Sequence, residues 1–271
     1  MVFDHVFLNG EIVPLGCVRI SPTDRGFTLA DGAFETLCVR AERCIDVSAH
    51  LARLRDALAL LRLPPVHQYY DLPSALERTR LVNHIAEGVL RLTVTRGVGV
   101  RGLAPSRTAI PTVCIVGFPR LQRSPTIRAV IAAITRRNES SPLCRIKSLS
   151  YQDNLLALNE ALEQGADDAV MLNTKGCVVC ATSGNLLSLI DNEIVTPRLL
   201  DGALPGTVRY HLLKKLEVRE TALSLADFAR ASEIIVTNSL GIRRIAMLGE
   251  HRLSESEELF RRASAIYEDL R

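Results

Sequence analysis

The chain is expected to fold as an α+β protein of two subdomains, and three observations lead there. Short apolar, strand-like runs occur in hairpin-like clusters. Runs with helical periodicity lie between the clusters. The stretch Phe118-Pro119-Arg120-Leu121-Gln122-Arg123-Ser124-Pro125, with two prolines among polar residues, interrupts the pattern and reads as a linker. The first subdomain is placed at 1–118, the linker at 119–126 and the second subdomain at 127–271.

In the first subdomain, Val6 to Val13 reads as a hairpin turning at Asn9-Gly10, the strongest short-range hairpin signal. Phe34 to Val39 and Cys44 to Val47 read as two further strands. Ser48 is placed to cap a helix over Ala49 to Leu61, because Leu51, Leu54, Ala57, Leu58 and Leu61 recur at helical spacing. Asp71 to Glu87 reads as a second helix, and Val89 to Arg96 and Thr112 to Gly117 as strands. In the second subdomain, Ile127 to Arg136 is a strand and Asn154 to Glu163 a helix. Short strands follow at Asp168 to Leu172, Leu186 to Ile190 and Glu193 to Val195. Gly206 opens a helix to about Lys215, Ser232 to Thr237 is a buried-type strand, and a helix from about Ser254 to Leu270 closes the chain.

Composition narrows the function classes. The 271 residues are 47% hydrophobic, enough for a sizeable core. Net charge is +3 with basic residues dispersed among acidic ones, and no basic block is interleaved with aromatics, so nucleic-acid binding is not expected. No apolar run approaches the ~20 residues of a membrane helix. The first residues, Met1-Val2-Phe3-Asp4-His5, lack the basic and apolar regions of a secretory signal. The seven cysteines, odd in number and irregularly spaced, read as free thiols in a reducing cytoplasm. The Cys177-Val178-Val179-Cys180 pair has no second Cys pair and no spaced His pair to complete a zinc site, so no metal is expected.

Lys147 is the most informative single residue. It lies in Cys144-Arg145-Ile146-Lys147-Ser148-Leu149-Ser150-Tyr151, between a strand-like run and a helix-forming run. An amine that loses its water at such a junction is a nucleophile able to form a Schiff base with a carbonyl. A second feature is Asp201-Gly202-Ala203-Leu204-Pro205-Gly206-Thr207-Val208-Arg209, a Pro-Gly turn running straight into a helix. Its unsatisfied backbone N–H groups, with the helix dipole behind them, suit a phosphate. A third is the Gly-rich, doubly basic turn Thr95-Arg96-Gly97-Val98-Gly99-Val100-Arg101-Gly102 after a strand, whose arginines offer forks for a carboxylate. No Walker-type or dinucleotide-type glycine loop and no Gly-x-Ser-x-Gly elbow is present.

Taken together, these segments resemble the class IV aminotransferases, the fold-type IV PLP enzymes. That group includes branched-chain and D-amino-acid aminotransferases and aminodeoxychorismate lyase. Eight blocks occur in order: Asp24-Arg25-Gly26-Phe27, Asp31-Gly32-Ala33-Phe34-Glu35-Thr36, His50-Leu51-Ala52-Arg53-Leu54, Thr95-Arg96-Gly97, Ile146-Lys147-Ser148-Leu149, Thr182-Ser183-Gly184-Asn185-Leu186, Gly206-Thr207-Val208-Arg209 and Val236-Thr237-Asn238-Ser239. The resemblance implies pyridoxal 5′-phosphate as cofactor and Lys147 as the Schiff-base lysine that moves the proton between Cα and C4′. It implies that Arg53, the N–H groups of Thr207 and Val208 and the hydroxyl of Ser239 hold the cofactor phosphate. It also implies that Leu204 packs on the ring and that Tyr151 lies near the 3′-oxygen. Phe34, Arg96 and Arg101 would face the substrate, Arg101 as carboxylate anchor, with Phe34 standing where many members carry a tyrosine. A homodimer acting on small molecules, an amino acid and a 2-oxo acid, is implied as well.

One departure bears on the chemistry. Cys180 stands where the family usually has the glutamate that keeps the pyridine nitrogen protonated. A thiol is a weak partner there, and its loss of support corresponds to roughly 10²- to 10³-fold in the proton-transfer step. The expected activity is an aminotransferase, with two alternatives. The Arg-Gly-x-Gly-x-Arg-Gly pattern of 96–102 points toward aminodeoxychorismate lyase, and Cys180 toward a weak or silent PLP-binding protein.

Overall fold

The structure is a computed structural model in which residues 2–106 and 108–270 are described. The chain divides into two compact units, Met1–Gln122 with Ile146–Ser150, and Arg123–Arg145 with Tyr151–Leu270.

The first unit carries strands β1 (His5–Leu8) and β2 (Glu11–Pro14), a short helix α1 (Arg25–Leu29), strands β3 (Gly32–Arg40) and β4 (Arg43–Cys44), helices α2 (Val47–Leu60) and α3 (Leu72–Val82), and strands β5 (Gly88–Thr95) and β6 (Thr112–Pro119). One antiparallel sheet runs β2-β1-β6-β5-β3-β4. The first hairpin turns at Asn9 and Gly10, both at positive φ, with Leu8 opposite Glu11. Side chains alternate along β5, so Leu90, Leu92 and Val94 reach a core with Leu54 and Leu58 of α2 and Leu76 of α3. Fully burying each such side chain stabilises the unit by about 1.5–3 kcal/mol.

Three local readings of this unit differ from the structure. Val47 belongs to α2 rather than to a strand, and Ser48 is inside the helix. The N-cap is Asp46 in the left-handed conformation, with no side-chain cap bond. The strand ends at Cys44, three residues before its expected end. Helix α3 stops at Val82, where His84 takes positive φ. Its start agrees with the sequence, because the Asp71 carboxylate accepts from the Ser74 N–H at 3.1 Å. Helix α1 was not expected. Five residues show little periodicity, but Asp24 caps it by accepting from the Gly26 N–H at 2.7 Å.

The second unit begins with β7 (Thr126–Ile131), followed by α4 (Gln152–Glu163), strands β8 (Asp168–Leu172), β9 (Val178–Ala181), β10 (Asn185–Ile190) and β11 (Glu193–Pro197), and helix α5 (Thr207–Lys215). Strand β12 (Val218–Thr221), helix α6 (Leu225–Ala229), strands β13 (Glu233–Asn238), β14 (Gly241–Leu248) and β15 (His251–Arg252), and helix α7 (Glu258–Glu268) complete it. The sheet order is β12-β11-β10-β13-β14-β7-β8-β9, with β15 on β14. Strand β7 ends at Ile131, five residues before its expected end. Strands β8, β9 and β13 are buried along nearly their whole length, so they read as continuous apolar runs.

The segment Ile146–Ser150 packs with the first unit although it lies at a sequence position assigned above to the second subdomain. Ser148 bridges Ala33 of β3, so ladder pairing outweighs adjacency along the chain.

Candidate active site

In the first unit, Lys147 lies in an irregular segment pinned on both sides by main-chain bonds. The Phe34 N–H donates to the Lys147 carbonyl at 2.9 Å, and the Leu149 N–H to the Gly32 carbonyl at 3.0 Å. Glycine is required at 32, because a Cβ there would stand 2.3 Å from the Val94 carbonyl oxygen and 2.9 Å from Leu149 Cδ1. The half-buried Lys147 reaches back along β3, and its Nζ lies 4.3 Å from the centroid of the Phe34 ring. The Arg91 guanidinium lies over the same ring at 3.8 Å. An aromatic face beside an amine attracts its charged form and displaces water from it. The structure thus brings together Lys147 and Phe34, two of the residues singled out from the sequence.

Arg53, on α2, meets two residues to which the sequence assigned no role. Its Nε and Nη2 donate to the Glu35 carboxylate at 2.8 and 2.6 Å, and His50 Nδ1 lies 2.6 Å from the same carboxylate. His50 and Arg53 share one face of α2 by their spacing of three, and Glu35 points inward from β3 with 1% exposure. Burial pushes the Glu35 carboxyl up, but the hydrogen bonds and charges of Arg53 and His50 outweigh it and hold the group down at about 2. The folded value lies below the ordinary 4.5, so the stability it contributes is present above that pH and is lost as pH falls toward 2. The shift corresponds to about 3 kcal/mol. Denaturant unfolding of wild type and Glu35→Gln should therefore differ most near neutral pH, and the difference should shrink as pH falls below 4.5. A gap that stays constant through that window would contradict this account of the carboxylate.

Arg96 is buried, and its donors are committed to the protein. Nε and Nη2 bind the Asp31 carboxylate at 2.7 and 3.1 Å, Nη1 the Arg62 carbonyl at 2.8 Å, and Nη2 also the Leu61 carbonyl at 2.8 Å. Arg25 binds the other side of the arrangement, donating to Asp31 at 2.9 Å and to the carbonyls of Gly102 and Leu103 at 3.0 and 2.9 Å. Burial raises the Asp31 carboxyl, and the two guanidinium groups more than reverse this. Arg25 clamps the turn that carries the exposed Arg101.

In the second unit, α5 starts at Thr207 with Gly206 as N-cap and no side-chain cap bond. Thr207 and Val208 are buried, at 7% and 3% exposure. A buried helix start without a side-chain cap leaves backbone N–H groups to be satisfied, and an anion suits them. A Cβ on Gly206 would stand 2.0 Å from Asn185 Oδ1, so a side chain here would displace the Asn185 amide. Asn185 in turn donates to the Leu204 carbonyl at 2.9 Å and fixes the turn before the helix. Ser239 follows β13 and is half-buried, its carbonyl accepting from the Tyr267 hydroxyl at 3.1 Å. Tyr151 is the half-buried N-cap of α4.

Cys180 lies on β9 opposite Met171 of β8, buried in a cluster with Ala132, Ala157, Ala169 and Ala203. Burial pushes its thiol up. Arg137 opposes that shift without reversing it, and Asp168 and Cys144 add to it. The side chain is therefore neutral near pH 7. Arg137 Nη2 donates to the Cys144 and Gly202 carbonyls at 3.0 and 3.4 Å, while its buried Nε meets no partner. Among the described residues, no group of three or more His, Cys, Asp and Glu side chains is arranged to hold a metal ion. None of their helices is long and apolar enough to cross a membrane.

Sequence reasoning left Glu35, His50, Asp31, Arg25 and Arg137 without roles. The spacing of His50 and Arg53 on one helix face is the signal that links that pair. The Asp31 clamp joins residues some 65 positions apart and leaves no periodic trace.

Residues 32–248 match the family described as amino-transferase class IV. A Methanocaldococcus jannaschii protein provisionally named a branched-chain-amino-acid aminotransferase is 31% identical over 86% of this chain and 84% of its own. The solved structure of 4-amino-4-deoxychorismate lyase from Pseudomonas aeruginosa superimposes with a TM-score of 0.85 at 30% identity, over 97% of this chain and 98% of that one. The PLP-bound form of a hypothetical aminotransferase from Mycobacterium tuberculosis gives a TM-score of 0.83 at 26% identity, over 97% of each chain.

Proposed function

Because the chain belongs to the class IV aminotransferases, PLP-dependent enzymes of fold type IV, we propose that it moves an amino group between an amino acid and a 2-oxo acid, with Lys147 as covalent anchor and proton carrier. The observation that carries this reading is the placement of Lys147. Its backbone is bonded to β3 on both sides and its Nζ lies against the Phe34 ring.

Bound PLP would supply the electron sink that lets a proton leave the substrate Cα. The remaining work falls to side chains. Lys147 Nζ would be the group that accepts and returns that proton, which requires an amine of limited mobility, and its pinned backbone restricts it. Phe34 excludes water from the amine. The residues proposed to hold the cofactor phosphate are Arg53, the N–H groups of Thr207 and Val208 and the Ser239 hydroxyl. The uncapped, buried start of α5 supports that assignment. Leu204 and Tyr151 would help to hold the rest of the cofactor. Arg101 receives the substrate carboxylate on a turn held by Arg25. Arg96, with its donors on Asp31 and two carbonyls, shapes that turn and the substrate face beside it. A homodimer in the cytoplasm completes the reading.

A second reading is aminodeoxychorismate lyase, in which Lys147 would drive loss of pyruvate. The clamped Arg-Gly-rich turn favours it, as does the similarity to the Pseudomonas aeruginosa lyase. A third is a silent PLP-binding protein, motivated by the neutral Cys180. Half-reaction spectra with a panel of D- and L-amino acids separate the three. Conversion of bound cofactor to its pyridoxamine form is expected. No conversion with any amino acid, together with pyruvate release from aminodeoxychorismate, would reject amino transfer in favour of the lyase. Silence in both assays would leave the binding protein.

A further inference from the structure

We infer that Glu35, backed by His50, is the positioning residue that orients Arg53, and that this arrangement makes the protein select the phosphorylated cofactor over the unphosphorylated aldehyde. The inference rests on the reading of Arg53 as a phosphate ligand.

An arginine at the end of a long side chain has many rotamers, and an anion that binds it must first freeze them. Here the freezing is built into the fold. The Glu35 carboxylate takes the guanidinium side-on, through Nε at 2.8 Å and Nη2 at 2.6 Å, which sets both the plane and the rotation of the group. Glu35 is itself immobile, at 1% exposure on the central part of β3, with its backbone paired to Leu92 and its second oxygen held by His50 at 2.6 Å. Constraint thus passes from strand to carboxylate to guanidinium. The ion pair partly offsets the charge of Arg53, so Glu35 contributes direction rather than extra attraction. A cluster serving stability alone would differ in one measurable respect. Weakening it would lower the affinity for every ligand alike, whereas misdirecting Arg53 lowers only the affinity that depends on phosphate.

The test is equilibrium titration of the apo-protein with PLP and with pyridoxal, followed by absorbance, for wild type, Glu35→Gln, Glu35→Asp and Arg53→Ala. Thermal unfolding of each apo-variant establishes that it is folded. Glu35→Gln should reduce the ratio of PLP to pyridoxal affinity by about tenfold or more, as loss of a charge-assisted, bidentate contact implies, with pyridoxal affinity changed by less than about twofold. Glu35→Asp keeps the charge and draws the carboxylate back by one methylene. It should reduce the ratio by about three- to tenfold, and it decides the matter if the glutamine variant does not fold. Equal losses for both ligands would reject the inference, since Glu35 would then be structural only. A wild-type ratio in both Glu35 variants, with a collapsed ratio in Arg53→Ala, would reject it while leaving Arg53 as a phosphate ligand. A wild-type ratio in Arg53→Ala would remove the reading of Arg53 itself, and the inference with it.

Discussion

Lys147→Ala should abolish the visible absorbance of the purified protein and lower the half-reaction rate at least about 10³-fold, because on the proposed reading one substitution would remove both the nucleophile and the proton carrier. Proton transfer by a positioned side chain accounts for about 10²- to 10⁴-fold, and loss of the covalent link adds to that. Stability should change little. Lys147 is half-buried, and the bonds that pin its segment, to Phe34 N–H and the Gly32 carbonyl, use main-chain atoms that alanine retains. Borohydride treatment followed by mass measurement gives an independent reading. The wild type should gain the cofactor's mass on the peptide that contains Lys147, and the variant should gain none. A variant that still carries reducible cofactor on this peptide, or keeps a tenth of the half-reaction rate, would remove Lys147 from the chemistry.

Cys180→Glu should raise the rate of Cα proton removal by about 10²- to 10³-fold, as expected if a carboxylate supports a protonated pyridine nitrogen by ~2–4 kcal/mol. The thiol now present cannot do this. Burial holds it neutral, and its companions in the cluster are mostly alanines. An introduced carboxylate would meet one favourable neighbour. Arg137 already exerts its field on position 180, and its buried Nε has no hydrogen-bond partner. Asp168 opposes the new charge, but it is paired with Arg243 at 2.8 Å. The larger side chain in a tight cluster should destabilise the fold by about 1–3 kcal/mol, so rate and stability are expected to move in opposite directions. Single-turnover spectra and denaturant unfolding on the same preparations measure both. A Cys180→Glu protein that binds PLP and reacts no faster than wild type would overturn the account of the ring nitrogen. Cys180→Ala serves as the control and should alter the rate by less than about threefold, since a neutral thiol contributes little.

What could be read from the chain alone is what depends on neighbours in sequence. The Asn9-Gly10 hairpin is legible because both turn residues must adopt positive φ, and few dipeptides do so readily. Strand β8 is legible from its continuous apolar run, helices α2 and α4 from their apolar periods, and the helix start at Gly206 from a Pro-Gly turn that cannot continue a strand. Order and spacing of eight short blocks likewise pointed to the family before any fold was known.

The tertiary structure decided which of those pieces meet. Lys147 follows a strand of one unit and precedes a helix of the same unit, yet Ser148 pairs with Ala33 and the lysine packs with the other unit, beside Phe34. The resemblance gave Arg53 a role toward the phosphate but no protein partner, and only the approach of β3 to α2 supplies the carboxylate that orients it. Arg96 looked like a free substrate fork, and only the fold turns it onto Asp31. The physical reason is common to all three. Helical and strand periodicity record which face of an element is apolar, whereas a buried charge records nothing locally. Its cost is met by partners from distant parts of the chain, and those partners exist only once the sheet has assembled.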